Sequence, residues 1–209
     1  MITEYKGNLL NSKADVIAHQ TNCAGVMGAG VALQIKEQLL AEGEYLKYVG
    51  FCNNTPSKEQ LGGMQLLKTK DHRLVANLFG QNRPQSCGIA TDYDALKKAL
   101  NTLHRWAKYS HFSVAVPGLL GCGLAGGDWK VVRQLLEEIF SDDDVSLEIV
   151  YFDEKDFLNW VKYYKGYVIE DAFGMDGFTV FFEGDDVFFD TRAEAIKFID
   201  GINKGGMRV

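Results

Sequence analysis

The chain has 209 residues, 46% of them hydrophobic and 24% charged, the balance of one ordinary globular domain with a small addition. Its formal net charge is -6, and residues 155–209 alone carry 7 Lys+Arg against 10 Asp+Glu. An acidic chain without a basic cluster is a poor general binder of polynucleotide backbones, and no apolar run approaches the roughly 20 residues of a membrane span.

Residues 2–6, ITEYK, predict a short strand, and DVIAHQT, 15–21, predicts a buried one. A glycine-rich turn follows and leads into a helix from about Ala29 to Ala41, with Val31, Ile35 and Leu39 on one face. Residues 42–63 read as irregular. MQLLKTKDHRLVANLFG predicts two strands joined by a turn at Asp71-His72, and QNRPQSCGIATD is a loop. YDALKKALNTLHRWAKYS predicts an amphipathic helix, with Leu96, Leu100, Leu103 and Trp106 at helical spacing and Asp92 at its start. SVAVPG is another buried strand, LLGCGLAGG a second glycine-rich loop, Asp128 the cap of the helix DWKVVRQLLEEIF, and SLEIVYF a further strand. The run Asp142-Asp143-Asp144 reads as a solvated turn. Strands separated by helices predict an α/β fold, a mostly parallel sheet covered on both faces in three α/β/α layers.

The last quarter changes character. EKDFLNWVKYY predicts a short helix, GYVIED, FTVFFEG and DVFFD three short strands, and TRAEAIKFIDGIN a closing helix capped by Thr191 or Asp190. The division is therefore a domain at 1–154 and a β-meander/α module at 155–209, too small to be stable alone and expected to dock on the first. Its residues Phe178, Phe181, Phe182, Phe188 and Phe189 alternate as on a sheet face. Cys23, Cys52, Cys87 and Cys122 form no CxxC pair, and the four His show no zinc spacing. With no basic-plus-apolar leader at the N-terminus, this implies a cytoplasmic protein with reduced thiols and without a metal or a resident cofactor.

Two glycine-rich loops, each after a strand and before a helix, lie where an α/β sheet places its ligand. Side-chain-poor turns let main-chain N–H groups approach a diphosphate, and a helix N-terminus favours negative charge. Neither loop is a P-loop, for no Gly-Lys-Ser/Thr follows, and neither is a clean GxGxxG. On these residues the chain resembles the macrodomain family. DVIAHQTN-CAGVMGAGVALQI is similar to its first signature and VPGLLGCGLAGGDW to its second, with Gly7-Asn8 and VANLFGQ in the expected order. The resemblance covers residues 1 to about 154, and HxxNC with GCGLxGGDW is most similar to the branch that processes ADP-ribose 1″-phosphate.

That resemblance implies a mixed, mostly parallel central sheet and a small-molecule ligand, ADP-ribose or a derivative. It implies Asp15 on the adenine amine; Gly28, Ala29, Gly30 and Val31 around the distal ribose and a phosphate; and Leu119, Leu120, Gly121, Cys122, Gly123 and Leu124 on the diphosphate. Phe79 becomes an apolar wall. His19 is implied as nucleophile or general acid/base, Asn22 as the holder of the distal ribose, and Asp128 as a helper, although a helix cap alone explains Asp128. The leading expectation is a phosphatase that converts ADP-ribose 1″-phosphate to ADP-ribose. The alternatives are a non-catalytic ADP-ribose reader, or a hydrolase removing ADP-ribose from protein or nucleic acid. Glycohydrolase relatives place an acid directly after GCGL and a lysine in the preceding loop; here these are Ala125 and the lysine-free QNRPQSCGIATD, with Arg83. Arginine stays protonated and is no amine nucleophile. An interaction scaffold built around the tail is a further possibility.

Overall fold

The computed structural model describes residues 1–85, 87–141 and 144–204. Ser86 of the QNRPQSCGIATD loop, Asp142 and Asp143 of the acidic run, and residues 205–209 of the tail module lie outside the described residues. Six strands form the central sheet: β1 (Ile2–Lys6), β2 (Val16–Asn22), β3 (Met64–Lys68), β4 (Leu74–Gln81), β5 (Val114–Pro117) and β6 (Leu147–Tyr151), in the order β1-β6-β5-β2-β4-β3. All neighbours run parallel except β3, which pairs antiparallel with β4 at the edge. The connection between those two is a tight turn, which permits only antiparallel pairing. His72 sits in it at φ 70°, and Asp71 accepts from Thr69 Oγ1 at 2.6 Å and Arg73 Nε at 2.8 Å.

The sheet is buried on both faces, and β2 shows why its sequence is a continuous apolar run. Val16 and Ala18 enter one core cluster with α4 (Tyr93–Ser110) and α5 (Trp129–Ile139), while Ile17 enters the other with Tyr48 and Phe79. Asp92 and Asp128 cap those two helices, accepting from Ala95 N and Lys130 N. α1 (Gly30–Gln34) continues into one wider turn, Ile35–Leu39, and ends there.

Residues 42–63 depart from the irregular reading. They hold α2 (Glu44–Asn54) and the short α3 (Ser57–Gln60). The buried positions of α2 are Glu44, Tyr48 and Cys52, so its inward stripe is not apolar enough to announce a helix. Glu44 is satisfied in burial by an ion pair with Lys47 and by Lys68 N at 2.8 Å.

In the tail, α6 (Glu154–Trp160) stops four residues before the sequence pattern suggests, and Tyr163–Tyr164 becomes β7. The amides of Lys162 and Tyr163 donate to the Glu4 carboxylate at 3.1 and 3.2 Å, which draws them out of a helical ladder. β7, β8 (Tyr167–Asp171), β9 (Phe178–Phe182) and β10 (Asp185–Phe189) form an antiparallel sheet in the order β10-β9-β8-β7. α7 (Arg192–Lys204) closes it, and Thr191 is its cap: Glu194 N donates to Thr191 Oγ1, and Thr191 N to Glu194 Oε2, each at 3.2 Å. Ile169, Val180, Ala195 and Ile199 belong to the same buried cluster as Val116 and Leu136, so tail and main sheet share one core. Among the described residues no helix is long and apolar enough to cross a membrane.

Candidate functional site

A cleft of about 560 Å³ opens at the carboxyl ends of β2, β4, β5 and β6. Its first wall is the loop after β2 and the start of α1. Asn22 builds that loop: its Oδ1 accepts from Ala24 N at 3.0 Å and Val26 N at 3.2 Å, and its Nδ2 donates to Val26 O at 2.7 Å. Tyr48 on α2 steadies the same residue, donating to Asn22 O at 2.7 Å while accepting from Thr21 Oγ1 at 2.8 Å.

The second wall is the loop from Gly118 to Gly127. Four of its glycines leave less than 3.0 Å for a Cβ, Gly126 and Gly127 against the backbone oxygens of Gly88 and Gly121 at 2.7 Å each, and Gly118 and Gly121 against side chains. A Cβ on Gly118 would lie 2.3 Å from the Tyr151 ring, and one on Gly121 would lie 2.6 Å from Gln20 Oε1, at a left-handed φ of 72°. Gln20 props this loop from below: its Nε2 donates to Thr91 Oγ1 at 3.0 Å, and Thr91 Oγ1 donates to Gly121 O at 2.6 Å. Cys122 N bonds back to Leu119 O and Gly127 N to Gly121 O, closing the turn on itself. The amides of Leu120, Gly121, Gly123 and Leu124 meet no acceptor among the described residues. The walls face each other, for Leu124 Cδ1 stands 4.0 Å from where a Gly30 Cβ would be.

Gly28, Ala29, Gly30, Val31, Leu119, Leu120, Gly121, Gly123 and Leu124 all line the cleft, as does Asn22. The remaining sequence assignments need correction. Asn22 lines the cleft with its amide oxygen and one Nδ2 hydrogen engaged by its own loop, which it shapes. His19 is not in the cleft. It is fully buried, its Nε2 2.8 Å from Asn77 Oδ1. Since Asn77 Nδ2 donates to Gln65 Oε1, Asn77 offers its oxygen to His19, and the ring's Nε2–H donates. Burial pulls the imidazole down to about 4 despite that bond, so it is neutral at pH 7. The cause is strand alternation: Gln20 faces the cleft, and His19, one residue earlier, faces away.

Asp15 lies at the other end of β2, roughly 20 Å of strand from the cleft. There it accepts from Ser113 N at 2.8 Å and Ser113 Oγ at 2.6 Å, and these bonds hold its carboxyl below the usual range. Phe79 is buried on the opposite face, stacked with Tyr48 and Phe51. Cys122 turns its thiol from the cleft toward Leu120 O at 3.2 Å, and burial pushes it up to about 12. Asp128 is outside the cleft too, where it acts as the α5 cap. Cys23 is buried and raised to about 11, which leaves it an inert thiol.

Among the side chains that sequence reasoning missed are Asn8, Gln20 and Phe152, the last 78% exposed at the cleft. Asn8 sits in the Gly7-Asn8 pair noted above, so its position was signalled although its role was not. No residue lining the cleft among those described carries a titratable side chain; the polar ones are amides and one threonine. Among the described residues, no group of three or more His, Cys, Asp or Glu is placed to hold a metal.

No family model matches the chain. A human protein described as ADP-ribose glycohydrolase OARD1 is 26% identical over 149 residues, 71% of this chain and 90% of that protein. The DNA ADP-ribosyl glycohydrolase of Mycobacterium tuberculosis is 28% identical over 141 residues, 67% of this chain but only 39% of that protein. Among solved structures, the macrodomain of Mycobacterium tuberculosis DarG has a TM-score of 0.61 at 28% identity, covering 74% of this chain and 99% of that one. The chain has the macrodomain fold, and these likenesses support the family resemblance.

Proposed function

We propose that this chain binds ADP-ribose, or a molecule ending in it, in the cleft between its two glycine loops. One observation carries the reading: the loop with the amides of Leu120, Gly121, Gly123 and Leu124, which meet no acceptor among the described residues, lines a cleft with no charged side chain among those described. Fixed amides suit a diphosphate because they supply hydrogen bonds without bulk and without a mobile cation. The start of α1 opposite adds a favourable dipole. A purine has an apolar surface to rest on in Phe152. The names of the human and mycobacterial relatives point to the same ligand class.

A second reading is hydrolysis, which those names favour: of the terminal phosphate of ADP-ribose 1″-phosphate, or of a bond from ADP-ribose to protein or nucleic acid. Neither His19 nor Asp128 lines the cleft, and Ala125 stands where the glycohydrolase pattern has an acid. Catalysis would therefore rest on amides that position water and stabilise developing charge. Titration calorimetry with ADP-ribose, run beside assays of phosphate release and of ADP-ribose release from modified peptide and DNA, tests both. Binding without turnover is the expected result. Absence of affinity overturns the reading, and turnover that disappears in His19→Gln would return the imidazole to the mechanism.

A further inference from the structure

The segment 166–191, which forms β8, β9 and β10, contains seven acids and no Lys, Arg or His. All seven are exposed: Glu170, Asp171, Asp176, Glu183, Asp185, Asp186 and Asp190. Among the described residues only Asp171 has a cationic partner, Arg192. The same segment exposes large apolar side chains, Phe173 at the tip of the β8–β9 turn, Phe181 at 66% and Phe188 at 42%.

Sheet register places these groups together. Ile169, Val180 and Phe189 face inward, where Phe189 and Phe182 pack on Phe198 of α7. Alternation therefore turns Glu170, Thr179, Phe181, Asp186 and Phe188 outward. Asp186 stands opposite Phe181, and Thr179 lies between Glu170 and Phe188. The outward face is thus a lattice of carboxylates and aromatic rings. It ends at β10, which among the described residues pairs on one side only, with β9, so the other side presents an open edge.

An unpaired edge is a template for another strand, and acidic residues along it oppose pairing with a like-charged copy. We infer that this face docks a cationic protein segment, extended and alternating basic with apolar residues, which adds to β10 as a further strand. Its backbone pairs with the edge, its Lys or Arg side chains turn outward to meet Asp186 and lie over Phe188, and its apolar residues turn to the other face, beside Val187 and Phe189. The charge that draws such a segment repels an anionic bilayer, a nucleic acid and a second copy of this chain.

The test uses the full chain, isotope-labelled, with a synthetic octapeptide alternating lysine and valine and a counterpart alternating glutamate and valine. The lysine peptide is expected to shift amide resonances of β10 and β9, weakening with added salt, and to leave the cleft unchanged. The glutamate peptide is expected to shift nothing. Phe188→Ser with Asp186→Lys, both at exposed positions of β10, should weaken the lysine peptide by about tenfold or more. No shift at β10, equal shifts from both peptides, or an undiminished response in the double variant overturns the inference. So does a dimer in sedimentation that Phe181→Ser dissolves, which would assign the face to a second copy.

Discussion

His19 Nε2–H donates to Asn77. Burial takes the ring from an ordinary value of 6.5 to about 4, so between those pH values the unfolded chain is protonated and the folded chain is not. Stability present above the ordinary value is therefore lost as pH falls through that window, by about 3 kcal/mol at pH 4 for this group. Urea unfolding followed from pH 7 to 4 should show this slope, and His19→Gln, which keeps a donor toward Asn77, should flatten it by that amount. The same variant should leave ADP-ribose affinity unchanged, because the cleft begins one residue later; a large loss of affinity would contradict the placement of the ring. A strand buried on both faces does not reveal from sequence which of two adjacent polar residues faces the ligand. That is why HxxN pointed to His19 while Gln20 went unread. Asp15 was misassigned for a related reason: it immediately precedes the same strand, and the length of that strand separates it from the cleft.

The two loops were legible because glycine is itself the signal, and because each follows a strand and opens a helix. Which glycines are crowded was not, since that depends on groups arriving from elsewhere, Tyr151, Gln20 and the Gly88 carbonyl among them. Gly121→Ala should put a Cβ 2.6 Å from Gln20 Oε1 at φ 72°. The left-handed backbone alone costs about 1–2 kcal/mol and displacing the end of the Gln20 side chain, which donates to Thr91, adds to it, so urea midpoints should fall and ADP-ribose binding with them. Gly123→Ala is the contrast: nothing lies within 4 Å of its added Cβ, and its stability should stay close to the parent. Adding Gln20→Ala to Gly121→Ala should recover the packing part but not the backbone part, and a double-mutant cycle separates the two. Recovery of the whole loss would mean that the loop accommodates the backbone conformation freely. α2 marks the limit of pattern reading at this scale. Its inward residues Glu44, Tyr48 and Cys52 form a helical face only because Lys47, Lys68 and Thr21 satisfy their polar atoms.

Main sheet and tail meet at one buried carboxylate. Glu4, on β1 and 2% exposed, accepts from Arg133, from Tyr151 Oη at 3.0 Å and from the amides that begin β7. In the sequence it is one acid in a short edge strand, indistinguishable from a solvated one, because its partners come from residues more than a hundred positions away. Burial raises the Glu4 carboxyl and Arg133 opposes that rise, with burial the larger effect. A raised carboxyl contributes stability that is complete below its ordinary value of 4.5 and is lost as pH rises through its folded value. Arg133→Met removes the opposing charge and moves the folded value higher still. The variant should therefore be weakened by about 3–5 kcal/mol near neutrality and by less as pH approaches 4.5. Arg133 also pairs with Glu137 and donates to Trp160 O, losses that do not depend on Glu4. Adding Glu4→Gln should thus restore only the pH-dependent part. Because the same carboxylate holds Lys162 and Tyr163, hydrogen exchange in Arg133→Met should speed up first at the amides of β7 and β8. If those amides stay protected while global stability falls, the tail is held by the shared apolar core around Ile169 and Val180, and Glu4 secures only the main sheet.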